Sequence, residues 1–273
     1  MRGFGERLRN AAVERGRLCV GIDPHEHLLE QWGLPASVDG LREFCRICVV
    51  AFADTAALVK PQVAFFERFG AAGFAVLEET ISALRDGGAL VLADAKRGDI
   101  GSTMEGYARA WLDPAAPLAC DAVTLSPYLG LGSLEPAVRT AAEHGGGIFV
   151  LAATSNPEAH SIQRASDGEG RSIAQQIVDG VAKLNADLGE EAGSIGVVVG
   201  ATVSEPPALG HLGGPVLLPG VGAQGAGAAD VARICAGVEH LAFPNISRGI
   251  LRAGPDVEAL RAAVAEASRE FPA

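Results

Sequence analysis

The chain is predicted to fold as a single-domain (β/α)8 (TIM) barrel of the α/β class, spanning residues 1–273. Three observations predict it. Eight apolar runs rich in Val, Ile and Leu recur along the chain. Amphipathic stretches separate most of them, which is the alternation expected of parallel β-α-β units. Charged and polar residues gather where the runs end, and that is where barrels of this type carry their functional groups. An open doubly wound sheet is the alternative, and it would normally carry a Gly-rich dinucleotide turn after its first strand. Here the first run leads into Gly21-Ile22-Asp23-Pro24 instead.

Taken in order, the runs predict strands at Leu18–Ile22, Leu58–Val63, Ala89–Ala93, Ala122–Leu125, Ile148–Ala152, Ile195–Gly200, Pro215–Leu218 and Leu241–Ile246. Helical periodicity falls between them at Val38–Ala57, Ala71–Arg85, Glu105–Leu112, Leu134–Glu143 and Ser172–Leu188. The segment Thr154–Arg171, rich in Ser, Asn, Gly and Asp, reads as the longest irregular piece. Loops of that length serve as lids or binding loops, or simply decorate a surface.

Composition narrows the function. At 48% hydrophobic the chain can bury a large core. Its net charge of −11, from 22 basic and 33 acidic residues, argues against a nucleic-acid partner. An anionic ligand would need local basic groups to overcome that field. No stretch reaches the roughly 18 apolar residues of a membrane span. The first twenty residues interleave charges such as Arg2, Glu6, Arg7 and Arg9 and lack the apolar block of a signal peptide. A cytoplasmic protein is expected. The five cysteines are dispersed, and Cys45-x-x-Cys48 lies inside a helical pattern, so they read as small buried apolar residues. The histidines show no metal-ligand spacing; His25 and His27 fall in a polar loop and are expected in solvent.

The most informative stretch is Asp94-Ala95-Lys96-Arg97-Gly98-Asp99-Ile100-Gly101-Ser102-Thr103. Alternate side chains of a strand share a face, so Asp94 and Lys96 should point the same way. Asp99 follows in a Gly-containing turn and Thr103 opens the next helix. Unpaired charge is costly in a core, which suits this strand end to an active site. The same pattern would also suit an ion pair that anchors a loop. The other ends supply Asp23, Lys60, Ser126-Pro127-Tyr128, Thr154-Ser155-Asn156-Pro157 and Ala201-Thr202. The last two supply Pro219-Gly220-Val221-Gly222-Ala223-Gln224-Gly225 and Ser247-Arg248-Gly249. A Gly-rich turn can aim backbone N–H groups at an anion, and Arg248 offers a charged fork on the neighbouring strand. Barrels commonly place phosphate at these two loops.

In this order, these residues resemble the orotidine 5′-phosphate decarboxylase family, from about Leu18 to Leu251. Val59-Lys60-Pro61-Gln62, Phe65-Phe66-Glu67 and Thr124-Leu125-Ser126-Pro127-Tyr128-Leu129-Gly130 look most like its longer bacterial branch (type 2). The related 3-keto-6-phosphogulonate decarboxylases carry a similar D-x-K-x-x-D block, so that block alone does not fix the substrate. The resemblance implies decarboxylation of orotidine 5′-monophosphate to uridine 5′-monophosphate, with no cofactor and no metal. It implies a homodimer with shared sites, in which Asp94 and Lys96 come from one subunit and Asp99 from the other. Lys60 would complete an alternating Lys-Asp-Lys-Asp array and Lys96 would be the proton donor. Asp23 would bind ribose hydroxyls, as would Thr103 from the neighbouring subunit. Gln224 and Arg248, beside Gly249, would hold phosphate, with Gln224 also near the pyrimidine edge. Ser126 would read the pyrimidine. The rival readings are a metal-dependent sugar-phosphate decarboxylase or epimerase, and a non-catalytic phosphate-binding barrel.

The implied chemistry suits these side chains. Loss of carbon dioxide leaves a lone pair at C6 in the plane of the ring, where the π system cannot delocalise it. Most decarboxylases use a cofactor as electron sink. A fixed ammonium aimed at the developing carbanion stabilises it without reorganisation and can then donate its proton. Flanking carboxylates favour the charged form of such a lysine. The Gly222–Gly227 region, close to phosphate, is the better lid candidate.

Overall fold

The computed structural model describes residues 2–222 and 224–272. Its strands are β1 (Cys19–Ile22), β2 (Leu58–Pro61), β3 (Leu90–Arg97), β4 (Ala122–Leu125), β5 (Gly147–Ala153), β6 (Ile195–Val199), β7 (Val216–Pro219) and β8 (Ala242–Ile246). Each pairs in parallel with the next, and β8 returns to β1 with Asn245 opposite Cys19. The barrel is closed, and helices cover its outer face.

The alternation of side chains along each strand sorts the interior into layers. Cys19, Leu58, Leu92, Ala122, Phe149, Val198, Leu217 and Phe243 form one apolar cluster inside the barrel. Two residues further along the same strands stand Gly21, Lys60, Asp94, Thr124, Leu151, Gly200, Pro219 and Asn245. The lower layer is therefore packed hydrocarbon, and the layer above it carries a lysine, an aspartate, a threonine and an asparagine. That upper layer forms the floor of the site.

The N-terminal end is closed by the helix Phe4–Arg15, which the sequence reading did not anticipate. Its charged residues interrupt the periodicity, and its buried face consists only of Phe4, Gly5, Leu8 and Ala12. Phe4 meets Phe149 edge to face with ring centres 6.0 Å apart. Gly147 makes room for it, since a Cβ there would lie 2.3 Å from the Phe4 ring. Arg7 Nη1 donates to the buried Asp121 at 2.6 Å and fixes the helix to the start of β4.

Several boundaries move for identifiable reasons. β3 runs on through its charged residues to Arg97, because Asp94 and Lys96 find partners inside the barrel mouth. β2 stops at Pro61, where the chain turns into a short helix at Ala64–Glu67. The segment Thr154–Arg171 is not irregular throughout. It holds a 3-10 turn at Pro157–Ala159 and a helical turn at His160–Gln163. Asp167 Oδ1 then caps a turn by accepting from the amides of Glu169 and Arg171. All five cysteines are buried as free thiols, with Cys45 and Cys48 inside the helix Val38–Phe52. His25 is half-buried rather than solvent-exposed, its ring 4.3 Å from that of Phe65. Among the described residues no helix is long and apolar enough to cross a membrane.

Candidate active site

A cavity of about 260 Å³ opens at the C-terminal ends of the strands, with Asp23, Lys60, Asp94 and Lys96 among its lining residues. Lys60 is almost wholly buried. Its Nζ donates to Asp94 Oδ2 at 2.9 Å and lies 3.9 Å from Asp23 Oδ1. Lys96 Nζ donates to the other oxygen, Asp94 Oδ1, at 2.6 Å. The four side chains form a continuous row in the order Asp23, Lys60, Asp94, Lys96. The Lys60 ammonium occupies the space between the carboxylates that a bound cation would take.

Burial works against the charge of Asp94, but Lys60 and Lys96 more than offset it and hold its carboxyl well below the usual carboxylate range. Burial likewise works against the Lys60 ammonium, and Asp94 and Asp23 reverse that, raising it above the usual lysine range. Lys60 and Asp94 are therefore held in their charged forms. Asp23 Oδ1 is buried and has no hydrogen-bond partner among the described residues. A buried acceptor in this state favours a ligand with a hydroxyl to donate.

Lys96 reaches the cavity from an unusual backbone. Its φ is +48°, in the left-handed region, and the β3–β4 register shifts between Ala93 and Arg97. Arg97 points away from the cavity, pairs with Glu67 and stacks over the rings of Tyr107 and Trp111.

At the opposite end of the lining, Arg248 follows β8 and makes no ion pair among the described residues. The preceding Ser247 packs on Gly21 so closely that a Cβ at Gly21 would lie 1.8 Å from Ser247 Oγ. The Gly-rich turn uses several of its amides internally. The amides of Gly222, Gln224 and Gly225 donate within the turn, to Ala226, Gly220 and Gly222. Arg248 and Gln224 add side-chain donors to the cavity lining. Ala223 of this motif lies outside the described residues.

A scan against protein families matches residues 16–263 to the model described as the Orotidine 5'-phosphate decarboxylase / HUMPS family. The chain belongs to this family. An orotidine 5'-phosphate decarboxylase of Corynebacterium glutamicum is 64% identical over 271 residues, covering 98% of both chains. That of Corynebacterium efficiens is 65% identical, covering 98% of this chain and 97% of its own. A solved Streptomyces avermitilis structure superposes with a TM-score of 0.95 at 51% identity, over 99% of this chain and 95% of the other. The Leishmania donovani OMP decarboxylase structure gives 0.78 at 32% identity, over 98% and 97%.

Of the residues that the decarboxylase resemblance singled out, the structure gathers Asp23, Lys60, Asp94, Lys96, Gln224 and Arg248 around one cavity. Ser126 is a correction. It does not line the cavity: its amide donates to the Arg97 carbonyl at 2.7 Å and its own carbonyl packs against Gly98. Ser155, just past β5, does line it, and its hydroxyl donates to Gln224 Oε1 at 3.2 Å. Both serines stand at strand ends, and the resemblance singled out Ser126. Asp99 and Thr103 are also absent from the cavity. Asp99 Oδ1 accepts from the Ile100 amide, and Thr103 is exposed on the helix Gly101–Leu112. Gly249 is exposed on the helical turn Arg248–Leu251 and does not face the cavity. Gln62, Asn245 and Ser247 line the cavity without having been anticipated as site residues. For Asn245 the signal was available, because it lies two residues beyond the inward-facing Phe243.

Proposed function

We propose that this family member decarboxylates orotidine 5′-monophosphate to uridine 5′-monophosphate with Lys96 as the acid, in a homodimer of shared sites. The observation that carries the reading is the unbroken row Asp23–Lys60–Asp94–Lys96 lining a cavity that Arg248 also lines. Arg248 and Gln224 bind the phosphate, and Asp23 accepts from a ribose hydroxyl. Ser155, bonded to Gln224, contacts the pyrimidine in place of Ser126. The C6–carboxylate bond breaks with its electron pair left on C6, next to the Lys96 ammonium. That charge needs no reorganisation as the carbanion forms, and Nζ then delivers a proton to C6. Lys60 stays charged and buried and holds Asp94 in place.

The shared-site dimer accounts for the residues that stand outside the cavity. Asp99 and Thr103 flank Ile100, an exposed apolar residue at 61% accessibility, and Tyr128, past the neighbouring strand β4, is exposed at 78%. A second copy seated on this rim would cover those residues and present Asp99 and Thr103 to its own cavity. The whole chain, 1–273, acts as one barrel domain in the cytoplasm.

The test is ultraviolet assay of orotidylate turnover by the purified protein, with and without EDTA. Turnover that survives the chelator supports the reading. Turnover abolished by EDTA and restored by a divalent cation points to the metal-dependent rival. Tight binding of the nucleotide without turnover points to a non-catalytic barrel.

A further inference from the structure

We infer that Thr124 is a positioning residue for the reaction, whose single hydroxyl sets the Lys96 backbone and the Asp94 carboxylate together. The inference rests on the reading of Lys96 as the proton donor. Thr124 is the inward-facing residue of β4 one layer above Ala122, and it is 1% exposed. Its Oγ1 accepts from the Lys96 amide at 2.9 Å and donates to Asp94 Oδ1 at 3.0 Å. A hydroxyl has one proton to give, so its donation is committed to Asp94. Asp94 Oδ1 in turn accepts from Lys96 Nζ at 2.6 Å. The links form a closed ring that leaves Lys96 at its amide and returns to it at its ammonium.

The ring answers a specific need of this strand. Lys96 is the one non-glycine residue with positive φ among the described residues, and such a backbone persists only where its surroundings over-determine it. The register shift between Ala93 and Arg97 takes the Lys96 amide out of the regular ladder. Thr124 Oγ1 replaces the missing carbonyl acceptor and so pairs a part-buried donor that the ladder leaves out. Its donation to Oδ1 also fixes the rotation of the Asp94 carboxylate, with Oδ2 held by Lys60. Valine has the same shape and offers neither bond.

The experiment compares wild type, Thr124→Val, Thr124→Ser and Lys96→Ala as full chains. It reads kcat, KM for orotidylate, affinity for uridine 5′-monophosphate and thermal midpoint. Thr124→Val is expected to lower kcat about 10- to 100-fold, the scale of a lost hydrogen bond to a charged group. KM and nucleotide affinity should stay within about threefold, since the phosphate and ribose contacts lie elsewhere. Thr124→Ser, which keeps the hydroxyl, should recover kcat to within about threefold of wild type. If Thr124→Val does not fold, Thr124→Ala against Thr124→Ser isolates the hydroxyl at nearly constant volume. A Val or Ala variant with wild-type kcat overturns the inference. So does a Ser variant as slow as Val, or a Val variant whose KM, affinity and midpoint collapse along with kcat. Lys96→Ala separates the two levels: if it stays active the underlying reading fails, whereas a dead Lys96→Ala beside a normal Thr124→Val removes only the role of Thr124.

Discussion

Lys96 Nζ stands 2.6 Å from Asp94 Oδ1 while Lys60 Nζ stands 2.9 Å from Oδ2, so one carboxylate holds two ammonium groups, one on each oxygen. The two lysines are not equivalent. The Lys60 side chain is 3% exposed and that of Lys96 is 46% exposed. A proton donor has to reach its substrate, and only Lys96 projects into open space. Lys60 serves instead as the buried counter-charge that keeps Asp94 ionised.

This division of labour makes the row sensitive to acid. Asp94 is held below the ordinary carboxylate range although its own burial opposes this, because Lys60 and Lys96 flank it. A depressed folded pKa stabilises the fold fully above the unfolded value, about 3.9, and that contribution fades as pH falls toward the folded value. Asp94→Asn should therefore destabilise the protein at pH 7 by about 3–5 kcal/mol, the cost of leaving the buried Lys60 charge with only the more distant Asp23 as counter-charge. The deficit relative to wild type should shrink as pH drops below about 4. Urea unfolding of both proteins across that range checks it, and a deficit that is constant into acid would contradict the assignment. Lys60 behaves in the opposite sense: its raised value keeps its contribution intact below about 10.4 and loses it only as pH climbs beyond that.

Arg248→Ala should raise KM for orotidylate and lower kcat/KM by about 10- to 150-fold, corresponding to about 1.5–3 kcal/mol for a charge-assisted contact. Three amides of the Gly-rich turn, those of Gly222, Gln224 and Gly225, already donate within it and do not replace the lost guanidinium. Turnover of the phosphate-free nucleoside should be insensitive to the substitution. Equal losses on both substrates would place the phosphate elsewhere.

Ser155→Ala should impair turnover more than Ser126→Ala does. Ser155 shares a side-chain hydrogen bond with Gln224 at the cavity wall, whereas Ser126 bonds Arg97 through its backbone amide. A loss of about 5- to 30-fold in kcat/KM is expected for Ser155→Ala, the worth of one to two kcal/mol of hydrogen bonding. Steady-state kinetics of the two variants decide between them, and the reverse ranking would restore Ser126 to the site.

Mixing two inactive variants, Asp99→Ala and Lys96→Ala, should restore activity once subunits have exchanged. If Asp99 serves the neighbouring cavity, each mixed dimer has one site with both defects and one with neither. Random exchange makes about half of the dimers mixed, so recovery should approach about a quarter of wild-type activity per site. No recovery after demonstrated exchange would mean that Asp99 acts within its own subunit.

Much of this architecture could be read from the sequence because burial on both faces makes each barrel strand a continuous apolar run. Ala122–Leu125 falls at its predicted limits for that reason. The reading failed where chemistry interrupts the run. The charges of Asp94, Lys96 and Arg97 hid the last four residues of β3, which are held in the sheet by partners on other strands. The helix Phe4–Arg15 was hidden by its charges and narrow apolar face, and its place is fixed by tertiary contacts with Phe149 and Asp121. Residues of the charged row were legible as strand-end charges. Thr124 was not, because a threonine in a β-branched run looks like packing material until its neighbours are known.

The most direct measurement is single-turnover decarboxylation by Lys96→Ala at saturating orotidylate, beside the dissociation constant of uridine 5′-monophosphate. With Lys96 as the acid, the rate falls at least about 100-fold, the lower range for a general acid, while the product still binds through Arg248 and Gln224. A variant that keeps more than about a tenth of the wild-type rate would contradict the assignment of the proton to Lys96.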